Sequence, residues 1–318
     1  PNMGDPTTIR NLGQMSLNSY FEPSASAMQN KWENVPGFNQ TERFGWLDNG
    51  IRGYVFSDAK REVVVLAIKG SGSPDTPVPS GPTSEQDKFN DNIMFSCCCA
   101  ASFWYPICQC HNTKDKTCNR ACILGQSNFN SSYYNIAQSI YKSVETWYPR
   151  KASIWVTGHS LGGSLASLLA LTNDVPAVAF EAPGDMLYAG RIGLLPALPP
   201  RSGTTRPDYT QFFKTLPIYH IGNTQDPIFY GECTAWTSVC WRGGISMESK
   251  CHVGKECIYN DASKVASSSL DAPPEAQGFD MKYHGMGFVL DHFLKAWDRV
   301  PECKPQEDCQ ECTEWREV

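Results

Sequence analysis

Unbroken apolar runs and stretches with apolar residues every three or four positions take turns along this chain. Ile51-Arg-Gly-Tyr-Val-Phe56 and Glu62-Val-Val-Val-Leu-Ala-Ile68 predict two strands joined by the turn-like Ser57–Arg61, the second apolar throughout like a strand covered on both faces. Between 131 and 148 the apolar residues Tyr133, Ile136, Ala137, Ile140, Tyr141, Val144, Trp147 and Tyr148 have helical spacing. Ser131 and Ser132 offer N-caps there, and Pro149 lies just past the end. A strand at Ile154-Trp-Val156, a helix at 164–171, a strand at 175–180, a Pro-rich excursion at 194–206, a strand at 212–221 and a final helix at 286–299 complete the pattern. Alternation of this kind predicts an α/β fold with a mostly parallel central sheet flanked by helices, and a functional site at the carboxyl ends of its strands. Residues 1–50 are polar, and their aromatics Trp32, Phe44 and Trp46 are expected to lie along a larger body; 74–83, with four prolines, reads as a loop.

At 318 residues, one large domain with insertions is expected over 1–318. A net charge of -6 leaves no broad basic surface, so nucleic acid is excluded as a partner class. The fourteen cysteines change the picture more. They fall in two cysteine-rich insertions, about 97–122 and 233–257, and in a tail, about 301–318, and none lies in an expected strand. That distribution predicts disulfide staples on long loops in an oxidising compartment. Zinc held by Cys108, Cys110, Cys118 and Cys122 is the competing reading, weighed and set aside, so no metal and no cofactor are expected. Asn39-Gln-Thr41 and Asn130-Ser-Ser132 are glycosylation sequons that agree with a secretory route. No apolar run reaches the roughly twenty residues of a membrane span. The chain opens on proline with no signal sequence, so a trimmed form of a longer precursor is expected.

Candidate chemistry centres on Thr157-Gly-His-Ser160-Leu-Gly-Gly163, which follows the Ile154–Val156 run and precedes the small-and-leucine helix. A GxSxG turn between strand and helix exposes a serine hydroxyl to a base, so Ser160 is the candidate nucleophile of a serine hydrolase. The acid and then the histidine should follow along the chain. Asp226, in the loop after the expected strand at 212–221, is the candidate acid, with Asp185 the second choice. His284, flanked by Gly285 and Gly287, is the candidate base; His292 is expected to sit on the polar side of the last helix, and His252 lies within the second cysteine group. The tetrahedral oxyanion requires fixed donors, expected from the backbone N–H of Leu161 and from Ser71 in the Gly70-Ser71-Gly72 break. His159 is expected to pack or hydrogen-bond beneath the turn.

These residues resemble the fungal class 3 lipases over roughly 50–230 and the last helix, through the GHSLGG turn, Ser71, Asp226 and His284. The triplet Cys97–Cys99, the phrase Tyr219-His-Ile-Gly-Asn-Thr-Gln-Asp-Pro-Ile228 and the 233–257 insertion resemble more specifically the autophagy-related vacuolar phospholipases of fungi. The resemblance implies an α/β-hydrolase of the vacuolar lumen that cleaves acyl esters of membrane phospholipids and dissolves autophagic bodies, made as a membrane-anchored precursor. Membrane phospholipid and the membrane surface are then the expected partners. Aromatics at 95–105 and at Trp236 and Trp241 are read either as lipid-contacting groups or as small satellite cores. A soluble esterase of the feruloyl-esterase type and a non-catalytic lipid-binding module are the competing functions.

Overall fold

Runs of β-branched residues set the centre of the molecule. A computed structural model of the chain describes residues 2–21, 32–46, 50–72, 84–99, 108–112, 114–127, 129–199, 207–260 and 278–318. The strands are β1 (Asn39–Phe44), β2 (Gly53–Ser57), β3 (Val63–Ile68), β4 (His111–Asn112), β5 (Thr117–Cys118), β6 (Ser153–His159), β7 (Ala177–Phe180), β8 (Ile218–Asn223), β9 (Lys255–Tyr259), β10 (Cys303–Lys304) and β11 (Arg316–Glu317). Among the described residues, eight of them form one sheet in the order β1-β2-β3-β6-β7-β8-β9-β10, and β11-β5-β4 form a small second one. Pairing is parallel from β3 through β9 and antiparallel at both edges. This is an α/β-hydrolase fold with disulfide-stapled insertions.

The helices are α1 (Pro6–Asn18), α2 (Ser84–Phe95), α3 (Arg120–Ser127), α4 (Tyr133–Trp147), α5 (Leu161–Asn173), α6 (Met186–Arg191), α7 (Thr210–Thr215), α8 (Val239–Gly243) and α9 (Met286–His292). They cover both faces of the sheet, and β3 shows why its sequence is apolar throughout. Val64, Leu66 and Ile68 enter one buried cluster with α2, α4 and α5, while Val65 and Ala67 enter another with α1 and α9. No helix among the described residues is long and apolar enough to cross a membrane.

Several expectations from the pattern are corrected. The first fifty residues supply α1, capped by Asp5 with Pro6 in its first turn and buried through Ile9, Leu12 and Met15, as well as the edge strand β1. The strand expected at 212–221 is two elements: Thr210–Thr215 is helical, and β8 begins after Pro217 and runs on to Asn223. Tyr209 stacks on Phe213 with centroids 5.5 Å apart, the i,i+4 spacing of a helix rather than the alternation of a strand. The final helix ends at His292 and gives way to a 3-10 turn at Leu294–Ala296. The proline-rich loop at 74–83 lies outside the described residues, as do 200–206 of the excursion.

Seven disulfides take up all fourteen cysteines: 97–312, 98–118, 99–108, 110–122, 233–240, 251–309 and 257–303. The four cysteines considered as zinc ligands are therefore committed to sulfur–sulfur bonds. Cys257, Cys118 and Cys303 do lie in strands, contrary to expectation. Three bridges tie the tail to the body at β9, at Cys251 and at Cys97. The Glu311 carboxylate adds to that clamp by accepting the backbone N–H groups of Lys250 and Cys251 at 3.1 and 3.0 Å.

Burial ranks the contributions. Leu168 of α5 is fully buried, whereas the Lys142–Glu145 pair on α4 is exposed on both partners. Leu168→Ala is expected to lower the unfolding free energy by about 2–5 kcal/mol, and Lys142→Ala by less than about 1 kcal/mol, in urea titrations under one condition. A larger loss at Lys142 would contradict the ranking.

Candidate active site

Parallel strands bring their carboxyl ends to one edge of the sheet, and the candidate residues stand along it. The Gly70–Ser71 break follows β3, Ser160 follows β6, Glu181 follows β7, and Asp226 lies three residues past β8. Ser160 occupies the N-cap of α5 with φ 56° and ψ −131°, a left-handed backbone that a serine adopts only under constraint. Glycine supplies the constraint. A Cβ on Gly158 would strike the backbone of Gly162, and one on Gly162 would strike that of Ile68. An N-cap serine normally turns its hydroxyl onto the helix; here it makes no cap bond. Instead Ser160 Oγ lies 3.0 Å from His284 Nε2, and His284 Nδ1 lies 2.8 Å from Asp226 Oδ2. Ser160 is 5 % exposed and Asp226 is fully buried, with its other oxygen accepting the Ile228 N–H at 2.8 Å.

His284 ends a 3-10 turn, Met281–His284, whose N-cap is Asp280. Its backbone is fixed by a chain of hydrogen bonds that runs through three further residues, Gly70, Tyr20 and His159. Gly70 N–H donates to Tyr20 Oη at 3.0 Å, Tyr20 O–H donates to His159 Nδ1 at 2.6 Å, and His159 Nε2–H donates to the His284 carbonyl at 2.6 Å. With a carbonyl at Nε2 and a hydroxyl at Nδ1, His159 is a neutral imidazole. Burial, and then the neighbouring His284, hold its pKa well below the usual value. The expectation that His159 bonds beneath the turn is met; Tyr20, just past α1, gave no signal in the sequence.

The candidate donors for an oxyanion stand beside the same turn. Leu161 begins α5, so its N–H has no intrahelical acceptor and sits at the positive end of the helix. Gly70 lies so close that a Cβ there would come within 2.9 Å of Ser160 Cβ. The next residue, Ser71, donates its hydroxyl to Asp91 Oδ2 at 2.7 Å, and Gly72 N–H donates to Asp87 Oδ2 at 2.9 Å. Asp87 and Asp91 are one turn apart on α2. Asp87 also accepts the Tyr133 hydroxyl at 2.8 Å and pairs with Lys69, whose ammonium donates to the Gly70 carbonyl at 2.6 Å. The loop that faces Ser160 is thus anchored to a buried polar face of α2.

The other candidates are engaged elsewhere. Asp185 accepts the Val253 N–H at 2.8 Å. His252 has both nitrogens occupied, by Glu256 at 2.7 Å and the Ala182 carbonyl at 2.9 Å. His292 is exposed on α9 and bonds the Phe288 carbonyl at 3.1 Å. Asn39 and Asn130 are both exposed. Of the aromatics in the insertions, Phe95 is fully buried, Trp236 is 74 % exposed, and 100–105 lie outside the described residues.

The model of the class 3 lipase family matches residues 98–178, which include the whole GHSLGG turn. The chain is 36 % identical to the putative lipase ATG15 of Pichia angusta and 37 % identical to those of Eremothecium gossypii and Kluyveromyces lactis, each alignment covering the entire chain. The chain is thus similar to class 3 lipases over the segment that holds the GHSLGG turn, and to putative lipases over its whole length. It spans just over half the length of these ATG15 relatives, 55 %, 55 % and 57 %. Among solved structures it is similar to the Lip2 lipase of Yarrowia lipolytica, at 21 % identity over 69 % of this chain and 71 % of that one, with TM-score 0.36. It is also similar to the Rhizomucor miehei lipase propeptide complex, at 15 % identity over 88 % and 80 %, with TM-score 0.44. The family match ends before Asp226 and His284, whose placement beside Ser160 is a feature of this structure.

Buried acids around this site give stability a definite pH dependence. Burial pushes Asp91 up to about 8, Glu311 to about 7 and Asp185 to about 6. Each holds its proton more tightly folded than unfolded, so each contributes most at acidic pH, and its contribution falls as pH rises from about 4 through those values. His159 and His220, buried and neutral, work in the opposite sense below about pH 6.5. The melting temperature is expected to rise as pH falls from about 8 to about 6, with a shallower slope in Asp91→Asn. Thermal melts across that range check it; a melting temperature that climbs toward pH 8 contradicts it.

Proposed function

We propose that the protein is a serine-dependent lipase that hydrolyses acyl esters of membrane phospholipids in the vacuolar lumen. The observation that carries the reading is the unbroken line from Ser160 Oγ through both nitrogens of His284 to Asp226. Ser160 attacks the ester carbonyl while His284 Nε2 takes its proton, and Asp226 holds the imidazole by Nδ1–H and balances the charge it gains. The carbonyl oxygen becomes an oxyanion facing Leu161 N–H and Ser71, at the N-terminus of α5. Collapse of the intermediate returns the proton from His284 to the departing alcohol. Water repeats the cycle on the acyl-serine, releasing fatty acid and restoring Ser160.

Lipase activity is supported by the family match and by the ATG15 relatives named as putative lipases. Phospholipid as substrate and the vacuole as site rest on the narrower resemblance read from the cysteine triplet and the Tyr219–Ile228 phrase. Seven disulfides fit a secretory or vacuolar lumen. Trp236, exposed on the loop closed by Cys233–Cys240 just downstream of Asp226, supports contact with a lipid surface.

Incubation with phosphatidylcholine and phosphatidylethanolamine vesicles, followed by mass analysis, is expected to show free fatty acid and lysophospholipid. Turnover of soluble aryl esters with intact vesicles would instead favour the soluble esterase. Ser160→Ala and His284→Ala are each expected to lose about 10⁴-fold or more in kcat, and His292→Ala to stay within about twofold of the parent. An organophosphonate is expected to label the parent and not Ser160→Ala. Near-normal turnover in His284→Ala would remove His284 from the mechanism.

A further inference from the structure

Directly behind Asp226 lies an acid that the mechanism above does not use. Glu181, the first residue after β7, is fully buried and has φ 45°, a left-handed backbone that non-glycine residues seldom adopt. Its place is over-determined. Its N–H donates to the Ile221 carbonyl at 2.9 Å, Oε2 accepts the Asn223 N–H at 3.0 Å, and Oε1 accepts the Tyr259 hydroxyl at 2.5 Å. Asn223, whose N–H Glu181 accepts, takes the Asp226 N–H on its own carbonyl at 3.1 Å, so the two acids are gathered around one residue. The titratable neighbours acting with it are Asp226 on the loop after β8, Tyr259 on β9, and Tyr230 farther along that loop.

Two buried carboxylates side by side cannot both stay charged, so one proton is held between them. Asp226 accepts from an imidazole N–H and a backbone N–H. Glu181 has two neutral donors and an anionic neighbour; burial first, and Asp226 second, hold its pKa well above the usual carboxylate range. A protonated carboxyl can donate with its O–H and still accept with its remaining lone pairs.

We propose that Glu181 is a positioning residue of the Ser160–His284–Asp226 constellation, a neutral carboxylic acid whose O–H donates to the Asp226 carboxylate. The inference rests on the lipase reading above and deepens it. The donated hydrogen bond draws negative charge away from Asp226, so that His284 is held less tightly as imidazolium and can act as a base at lower pH. From its left-handed backbone Glu181 holds both Asn223, which borders Asp226, and Tyr259.

The test uses two variants and two readouts. Glu181→Gln keeps a neutral donor and acceptor of the same shape; Glu181→Gly removes the side chain at a backbone position that glycine adopts without strain. In the pH profile of kcat/KM on a soluble aryl ester, Glu181→Gln is expected to keep the acid limb of the parent. Glu181→Gly is expected to move that limb up by about one pH unit, about a tenfold loss on the acid side. Independently of activity, the infrared difference between parent and Glu181→Gln near pH 6 is expected to contain the C=O band of a protonated carboxylic acid. A difference lacking that band, or a Glu181→Gly profile that is unshifted or lowered equally at all pH values, would overturn the proposal. Failure of the lipase reading itself would look different: a parent without esterase turnover, with the infrared band still present.

Discussion

Three stretches of backbone meet beneath Ser160 with no room for side chains, and the candidate site follows from that contact. Gly158 at the end of β6 lies against Gly162 in α5, Gly162 against Ile68 at the end of β3, and Gly70 against Ser160 itself. Because strand and helix approach so closely, Ser160 is held at positive φ, its hydroxyl leaves the helix it would otherwise cap, and the first N–H of α5 faces the same space. The loop after β3 is drawn in by the same approach. The candidate nucleophile and the candidate oxyanion donors are therefore consequences of one packing constraint, fixed before any substrate arrives.

Around that contact the chain builds a support from distant parts of the sequence. Tyr20 links the loop at Gly70 to His159, and His159 links the turn to the backbone of His284, so a residue just past the first helix steadies one near the last. On the other side, Asp87 and Asp91 of α2 hold Gly72 and Ser71. Disulfides close the long insertions and bind the tail to Cys97, Cys251 and β9, which restrains loops too polar and irregular to be fixed by a core of their own. The buried acids in this support favour the folded state at mildly acidic pH.

What the sequence revealed and what it hid have physical reasons. The turn at Ser160 was legible because its strand, glycines and helix are contiguous and each carries a local steric demand. Asp226 and His284 could be nominated because chain order restricts where the acid and base can lie, and the fold brings both to Ser160. Helix α2 was hidden because the face it buries carries Asp87, Asn90 and Asp91, whose burial depends on partners more than forty residues away in some cases, and a polar face reads as solvent-facing. Helix α1 was hidden because its apolar residues Ile9, Leu12 and Met15 are spaced among polar ones, several of them also buried. The strand expected at 212–221 failed where Pro217 divides a helical turn from β8. Glu181 and Tyr20 gave no signal because their roles exist only in three dimensions.

The most direct measurement is a crystal structure of the protein inactivated by an alkyl phosphonate. The account predicts phosphorus bonded to Ser160 Oγ, a phosphonyl oxygen within hydrogen-bonding distance of Leu161 N–H and of Ser71, and His284 Nε2 still beside the adduct with Nδ1 on Asp226. A phosphonyl oxygen turned away from α5 toward solvent, or phosphorus bonded to another residue while Ser160 stays free, would contradict it.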